Sequence, residues 1–109
     1  MRIWDIPPEQ LCRNHLLGEH RELHAIWSIL VYNKKGYSHH PETVRWRGKQ
    51  KALYLRHEAL VKEMIRRRYH HHSPLETQFA TGHDQQDILI DSLNEQIRLL
   101  RQKKCGCTV

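Results

Sequence analysis

The sequence predicts an all-α protein, a compact single domain built from three principal helices. Apolar residues recur at three- and four-residue steps in three segments, which is the helical period. Stretches rich in proline, glycine and histidine separate those segments. No part of the sequence shows the alternation of apolar and polar residues that is typical of a β-strand. With 109 residues, 39% of them hydrophobic, the chain can form one modest core.

The first helix is predicted to follow Pro7 and to run from Pro8 to about Asn33. Pro8 suits a first helical turn, and Gly36 just after the predicted end suits a helix stop. The stripe expected to face the core consists of Leu11, Leu16, Leu23, Ile26, Trp27 and Leu30.

The second helix is predicted to start at Pro41, with Ser38 or His40 near its N-cap. It should end in the run 66–68, where three arginines complement the helix dipole. Gly48 is a point at which this helix can divide into a short and a long piece.

The rest of the single domain (1–109) is predicted to comprise a linker, a third helix and a tail. The linker covers 70–82, the C-terminal helix covers 83–104, and residues 105–109 form a short tail. Asp84 and Asp87 near the start of that helix and basic residues near its end match the polarity of a helix dipole.

The charge balance favours a polyanionic partner. Eighteen basic and twelve acidic residues give a formal net charge of +6. The sequence contains no apolar run long enough for a membrane span and no apolar signal-peptide core. Three cysteines, an odd number, argue against a disulfide framework. We therefore expect a cytoplasmic, non-membrane protein, with a monomer favoured, and exclude large multidomain enzymes and Rossmann folds.

The first residue carries a group with nucleophilic potential. We expect Met1 to be retained, because Arg2 is a large second residue. An α-amine has a pKa of about 7.7–8.0, far below that of lysine, so part of it is neutral near pH 7. A neutral amine can attack an electrophilic carbon and form an imine. The alternative is that Met1 only begins a frayed end.

One face of the first helix combines His15, Gly18 and Glu22, with Arg21 beside the glutamate. A carboxylate next to an arginine stays ionised, and it can stabilise a cationic intermediate or accept a proton. Gly18 would let a ligand or another backbone approach closely. The alternative is a solvated helix face with a local ion pair.

These residues resemble a known family. Arg2-Ile3, followed by the segment HLLGEHREL at 15–23, is similar to the pyrimidine-dimer DNA glycosylase/AP lyase family of phage endonuclease V type. The spacing from the terminus to Arg21-Glu22 matches without a gap, and the resemblance covers about residues 1–70.

The resemblance implies a compact all-α enzyme of DNA repair. In such enzymes the N-terminal amine attacks C1′ of the damaged nucleotide, a Schiff base forms, and β-elimination breaks the strand. Carried over to this sequence, Met1 is the nucleophile and Glu22 the essential carboxylate, while Arg2, Arg21 and His15 line the phosphate and sugar site. The partner is double-stranded damaged DNA with a flipped base, at a pyrimidine dimer or an abasic site, and the chemistry needs no cofactor.

Three features depart from the family pattern. Met1 stands where the phage members expose a threonine, and Ala25 stands where a basic residue is expected. Cys105-Gly106-Cys107 replaces an aromatic-rich tail. Lyase chemistry is therefore a firmer expectation than specificity for pyrimidine dimers.

Further cations crowd the second helix region, and they are predicted to contact phosphates. This DNA-binding set consists of Arg45, Arg47, Lys49, Arg66 and Arg67. Trp46 and Tyr54 lie among them, where they could pack on sugars or bases. The alternative is that the charges are simply solvated and the aromatic residues belong to the core.

Two other functions stay open: a non-catalytic nucleic-acid-binding module, and a metal-responsive protein that uses its histidines and cysteines. We assign no metal site, because consecutive histidines such as His70-His71-His72 diverge and the CxC pair lies on a tail expected to be mobile. Cys12 is interpreted as a small buried hydrophobic residue.

Overall fold

The structure is a computed structural model that describes residues 2–70 and 73–109. Within these residues it is helical and contains no strand, which confirms the predicted all-α single domain. The helices are α1 (Arg13–Tyr32), α2 (Pro41–Arg45), α3 (Gln50–Arg66) and α4 (Leu93–Gln102). Two short 3₁₀ turns, Pro8–Gln10 and Thr77–Phe79, complete the regular structure of the described part.

The start of the first helix was predicted too early. Pro8 opens a 3₁₀ turn, Leu11 is extended, and α1 begins only at Arg13. The predicted end at Asn33 is confirmed. Asn33 is left-handed (φ 53°), and the Lys34 N–H closes the helix on the Ile29 carbonyl at 3.2 Å.

The core lies mainly between α1 and α3, and the N-terminal segment packs into it. Burying each large apolar side chain stabilises the fold by about 1.5–3 kcal/mol. The first eleven residues supply four core side chains, so this segment belongs to the interior. The fully or almost fully buried members include Ile3, Trp4, Ile6, Leu11, Leu16, Leu23, Ile26, Trp27, Trp46, Leu53 and Leu60.

The predicted division of the second helix is confirmed. Gly48 has φ 72° and lies between α2 and α3, in a left-handed conformation that favours glycine. His40 is the N-cap of α2, and its Nδ1 accepts the Glu42 N–H at 3.1 Å.

The predicted helix over 83–104 is wrong at its start by ten residues. The helix begins only at Leu93, where the Ser92 side chain accepts the Glu95 N–H. The preceding segment instead accepts hydrogen bonds from the start of α3. The first N–H groups of a helix have no partner within the helix. The carbonyls of Thr81 and His83 accept from the N–H groups of Lys51 and Ala52 at 2.7 and 3.0 Å.

This pairing also corrects the linker assignment for its last residues. Gly82 (φ 82°) lies so close to Gly48 that a Cβ on it would stand 2.3 Å from the Gly48 carbonyl oxygen. The segment 81–83 is therefore fixed against α3. His71 and His72, also in the predicted linker, lie outside the described residues.

Candidate active site

The N-terminal segment is held by side chains from three helices. The N–H groups of Ile3 and Trp4 donate to Glu42 Oε1 (3.1 Å) on α2 and to Glu19 Oε1 (3.0 Å) on α1. The N–H of Asp5 donates to Gln96 Oε1 on α4 at 2.9 Å. An extended segment buried without a neighbouring strand needs such acceptors. We call these three hydrogen bonds the N-terminal clamp; Met1 itself lies outside the described residues.

Glu19 is the most deeply buried carboxylate of the clamp. It is 2% exposed, and Arg56 of α3 binds it through Nε at 2.6 Å and Nη2 at 3.1 Å. Burial raises the pKa of Glu19, while the charge and hydrogen bonds of Arg56 oppose the rise. Sequence reasoning missed this residue, although it had a signal: Glu19 lies on the stripe that continues from Leu16 to Leu23.

Arg45 is an internal cation. It is 4% exposed, and its guanidinium binds Glu42 Oε1 at 2.7 Å and Asp5 Oδ1 at 3.2 Å. It also donates to the carbonyls of Ile3 and Ile88 at 2.9 and 2.8 Å. This network neutralises the carboxylate that holds the Ile3 N–H. The prediction that Arg45 contacts phosphate is therefore corrected, because its donors are used inside the protein.

Lys49 is also largely buried. It is 8% exposed, and its Nζ lies 2.8 Å from both Gln86 Oε1 and Asp87 Oδ1. This ion pair lowers the pKa of Asp87. Lys49 thus holds the segment before α4 against the start of α3. Its contact with phosphate stays a prediction, and Asp87 already pairs with its charge.

Glu22 borders a cavity of about 740 Å³ between α1 and the loop that follows it. Such a volume lies in the range of ligand pockets. Glu22 itself is half-buried. The lining combines two apolar α1 residues with polar groups from the loop, namely Ala25, Ile29, Lys34, Tyr37 and His40.

Tyr37 is an unusual member of this lining. Its φ is 58°, which is rare for an aromatic residue, and its side chain is 71% exposed. The ring meets the His40 ring edge-on at 6.4 Å between centroids. Strained backbone of this kind is often found at functional sites. Sequence reasoning missed Lys34, Tyr37 and His40 as site residues, because only the turn of the chain after Asn33 brings them opposite Glu22.

Three predicted DNA contacts occupy the surface or its edge. Arg21 is exposed beside Glu22. Arg47 is exposed and donates to the Ser38 carbonyl at 2.6 Å, which joins it to the loop of the cavity. Arg2 is half-buried, pairs with Asp91 at 2.9 Å and stacks over Trp4 at 4.8 Å. Their roles in DNA binding stay predictions.

Arg66 and Arg67 lie at the other end of α3 and are not brought to the cavity. Both bind Glu63, at 2.5 and 2.6 Å, and the hydrogen bond from Arg66 lowers the pKa of Glu63 to about 2. Arg67 also donates to the Leu11 carbonyl at 2.6 Å. Arg67 therefore fastens the N-terminal segment, while Arg66 is exposed.

His15 lies among sulfur atoms. Its Nδ1 is 3.1, 3.2 and 3.4 Å from the Sγ atoms of Cys12, Cys105 and Cys107. Burial, with a contribution from the charge of Lys103, lowers the pKa of His15 and favours the neutral ring. His15 and Glu22 share a face of α1 but lie seven residues apart, about 10 Å along the axis. A sugar or phosphate contact by His15 thus stays a prediction.

Gly18, predicted to admit a close neighbour, faces open space. A Cβ there would meet no heavy atom within 4 Å. No other described part of the protein approaches closely here, and the approach of a ligand at Gly18 stays a prediction.

A second imidazole cluster joins α1 to α3. His20, His24 and His57 bring one ring nitrogen each within 4.8 Å of one another. His57 is fully buried, and its Nδ1 lies 3.0 Å from Glu58 Oε1. The described residues thus contain two clusters with the donor atoms of a metal site, this one and the group around His15.

Comparison with known proteins bears on residues 1–77. A family model described as pyrimidine dimer DNA glycosylase matches these residues, a range that includes α1, α2, α3 and the cavity. No curated protein and no solved structure matches the chain. In the described part of the chain, no helix has the length and apolar character needed to cross a membrane.

Proposed function

Because the chain belongs to the pyrimidine dimer DNA glycosylase family, we propose that it is a DNA repair glycosylase/AP lyase that acts on damaged double-stranded DNA. The observation that carries the proposal is that the protein holds its N-terminal segment in the clamp and also has a cavity lined by Glu22. An enzyme that uses its first amine needs a fixed N-terminal segment, whereas a binding module has no such requirement.

The clamp and the cavity each use one residue at the start of α2. Glu42, the second residue of this helix, accepts the Ile3 N–H, and His40, its N-cap, lines the cavity. From Ile3 the chain has two further residues with which to reach the cavity. This neighbourhood supports the proposal that the Met1 amine meets Glu22 there.

The proposed reaction begins with the Met1 α-amine. The lone pair of the amine forms a bond to C1′ while the glycosidic bond breaks and its electrons leave with the base. The base takes up the proton that the attached amine releases. Opening of the sugar ring gives the Schiff base. Glu22 stabilises the positive charge at C1′ and then accepts the C2′ proton, while the C3′–O bond breaks and the 3′ phosphate leaves.

The surroundings of the cavity suit a flipped nucleotide. Lys34, Arg21 and Arg47 supply positive charge near its rim, and the exposed Tyr37 ring offers a face for base stacking. Extrusion of a damaged base requires both a pocket and a stacking partner. The matched family thus gives the substrate class, and these side chains are the proposed contacts.

Borohydride trapping on an abasic-site duplex tests the chemistry. We expect a covalent adduct whose peptide map leads to Met1, and loss of the adduct when one residue is added before Met1. Glu22→Gln should reduce trapping by about 100-fold or more with little change in DNA binding, because general acid–base groups contribute on this scale.

Glu9→Gln is the matched control, since Glu9 is an exposed glutamate in the 3₁₀ turn and does not line the cavity. It should trap like the wild type. Salt-dependent binding without any adduct would instead favour the non-catalytic module. Adduct formation at a lysine would overturn the role of Met1.

A further inference from the structure

The three cysteines of the chain and His15 converge on one point. Besides the three contacts of His15 Nδ1, the Sγ atoms of Cys105 and Cys107 lie 3.5 Å apart. The four donor atoms all lie within 4.8 Å of one another, and each of the four residues is half-buried. No other cysteine exists in the sequence, so every thiol of the protein is in this group.

The spacing of these atoms fits a tetrahedral metal site. Zinc at about 2.3 Å from sulfur and about 2.0–2.1 Å from nitrogen would hold sulfurs about 3.8 Å apart and nitrogen about 3.5 Å from each sulfur. The observed distances from Nδ1 to sulfur are 3.1–3.4 Å, and Cys105 and Cys107 are separated by 3.5 Å. Small outward movements of the side chains would complete the tetrahedron.

The backbone brings the four ligands together from both ends of the chain. Cys12 is the N-cap of α1, and His15 follows one turn later on the same face. After α4 the tail reverses through Lys104 (φ 49°) and Gly106 (φ 98°). This reversal places two cysteines, separated by one residue, against the start of α1.

Other hydrogen bonds hold the tail in this position. The Thr108 N–H donates to the Gln10 carbonyl at 2.8 Å, and Arg101 Nε donates to the Val109 carbonyl at 2.9 Å. The tail expected to be mobile is therefore anchored just after the cluster, to the segment before α1 and to α4. The site does not depend on a chance approach of loose cysteines.

One backbone donor at the start of α1 is directed at the cluster. The Cys12 N–H, at the start of α1, donates to Cys107 Sγ at 3.0 Å, and the N-terminal end of a helix stabilises negative charge. Lys103 supplies a positive charge that reaches His15. Three thiolates, one neutral imidazole and a divalent cation carry a net charge of −1, which this lysine offsets.

We propose that Cys12, His15, Cys105 and Cys107 form a closed structural site for a divalent cation of the zinc class. Three thiolates and one imidazole are a ligand set of structural zinc, and with four protein ligands the metal has no open position for a substrate. A disulfide would use only two of the three sulfurs and would leave the imidazole without a role.

The proposed metal would join a part of the chain that the family model matches to a part that it does not match. Cys12 and His15 lie within the residues matched by the family model, and Cys105 and Cys107 lie beyond them. The site is separate from Met1 and Glu22, and it would give a structural role to His15, for which the family resemblance implies a sugar or phosphate contact. It would also fix the His15 ring, which the Trp4 ring meets edge-on at 5.6 Å. Ligation through Nδ1 leaves the proton on Nε2.

Metal analysis of the untagged, reduced protein tests the proposal. We expect one zinc per chain after equilibration with zinc and dialysis. Replacement by cobalt should give the intense visible bands of a tetrahedral ion together with thiolate-to-cobalt charge transfer. A strong chelator should lower the melting temperature by about 10 °C or more, because metal binding to the folded chain alone contributes directly to folding.

Variants assign the ligands. The double variant Cys105→Ser/Cys107→Ser should lose the zinc and the charge-transfer band, and His15→Phe should also lose the zinc. His15→Cys should retain zinc, since four thiolates also form a structural site. His39→Asn is the matched control, because His39 is an exposed histidine outside both clusters.

Several results would overturn the proposal. The first is a wild-type protein that binds no zinc under reducing conditions. This result does not depend on whether any variant folds. Zinc at wild-type occupancy in the double cysteine variant, or cobalt without charge transfer, would assign the ion to the cluster of His20, His24 and His57 instead.

Discussion

At the scale of single residues, two glutamates on α1 have separate tasks. Glu19 is buried and holds the Trp4 N–H, whereas Glu22, three residues later, borders the cavity. The family resemblance pointed to Glu22 alone, because a motif marks positions related to chemistry. The role of Glu19 depends on Arg56, a partner 37 residues away that the local pattern does not reveal.

Glu19→Gln should lower the free energy of unfolding by about 3 kcal/mol, because it leaves the largely buried Arg56 without its counter-charge. Urea denaturation at neutral pH measures this loss. Glu22→Gln is the matched change on the same helix and should alter stability by less than about 1 kcal/mol. Equal losses in both variants would contradict the separation of tasks.

At the scale of elements, boundaries set by local chemistry were predictable and those set by distant contacts were not. The break at Gly48 and the cap at His40 follow from residues within a few positions. The predicted helix start at 83 was wrong because the carbonyls of Thr81 and His83 accept hydrogen bonds from the N–H groups at the start of α3. Apolar residues at 88–90, which favoured a helix, lie on the surface.

The contact between Gly82 and Gly48 gives a prediction at this scale. Gly82→Ala should destabilise the fold by about 2–4 kcal/mol, because it adds backbone strain at φ 82° and a clash with the Gly48 carbonyl. Thermal denaturation measures the effect.

Gly18→Ala is the same chemical change as Gly82→Ala, but we expect it to increase the stability of the protein. It adds a methyl group in open space within α1 and should stabilise the protein by about 0.5–1 kcal/mol. A loss of stability at Gly18 comparable to that at Gly82 would contradict the account of both glycines.

At the scale of the whole molecule, the net charge of +6 does not describe where DNA would bind. Arg45 and Lys49 are used inside the protein, and Arg66 and Arg67 pair with Glu63. The sequence predicted a basic protein correctly, but it could not separate internal cations from surface ones. That separation depends on acidic partners such as Asp87, which only the folded chain brings to Lys49.

The salt dependence of DNA binding tests this distribution. Arg21→Ala and Lys34→Ala should each reduce the slope of log K against log salt concentration by about 0.9, as expected for one lost phosphate contact. Fluorescence anisotropy over a salt series measures the slope. Arg98→Ala removes the same charge from an exposed position of α4 and should leave the slope unchanged. Equal effects of all three would mean that net charge alone drives binding.

The bond between Asp5 and Gln96 spans 91 positions of sequence and lies outside any single motif. Gln96 falls beyond residue 77, so a fragment cut to the matched family region would leave the Asp5 amide without its acceptor. We therefore expect the shortest fragment that folds to be longer than the region matched by the family model. Affinity tags for purification are safer in an exposed loop than next to Met1, the proposed nucleophile, or next to the docked residues 105–109.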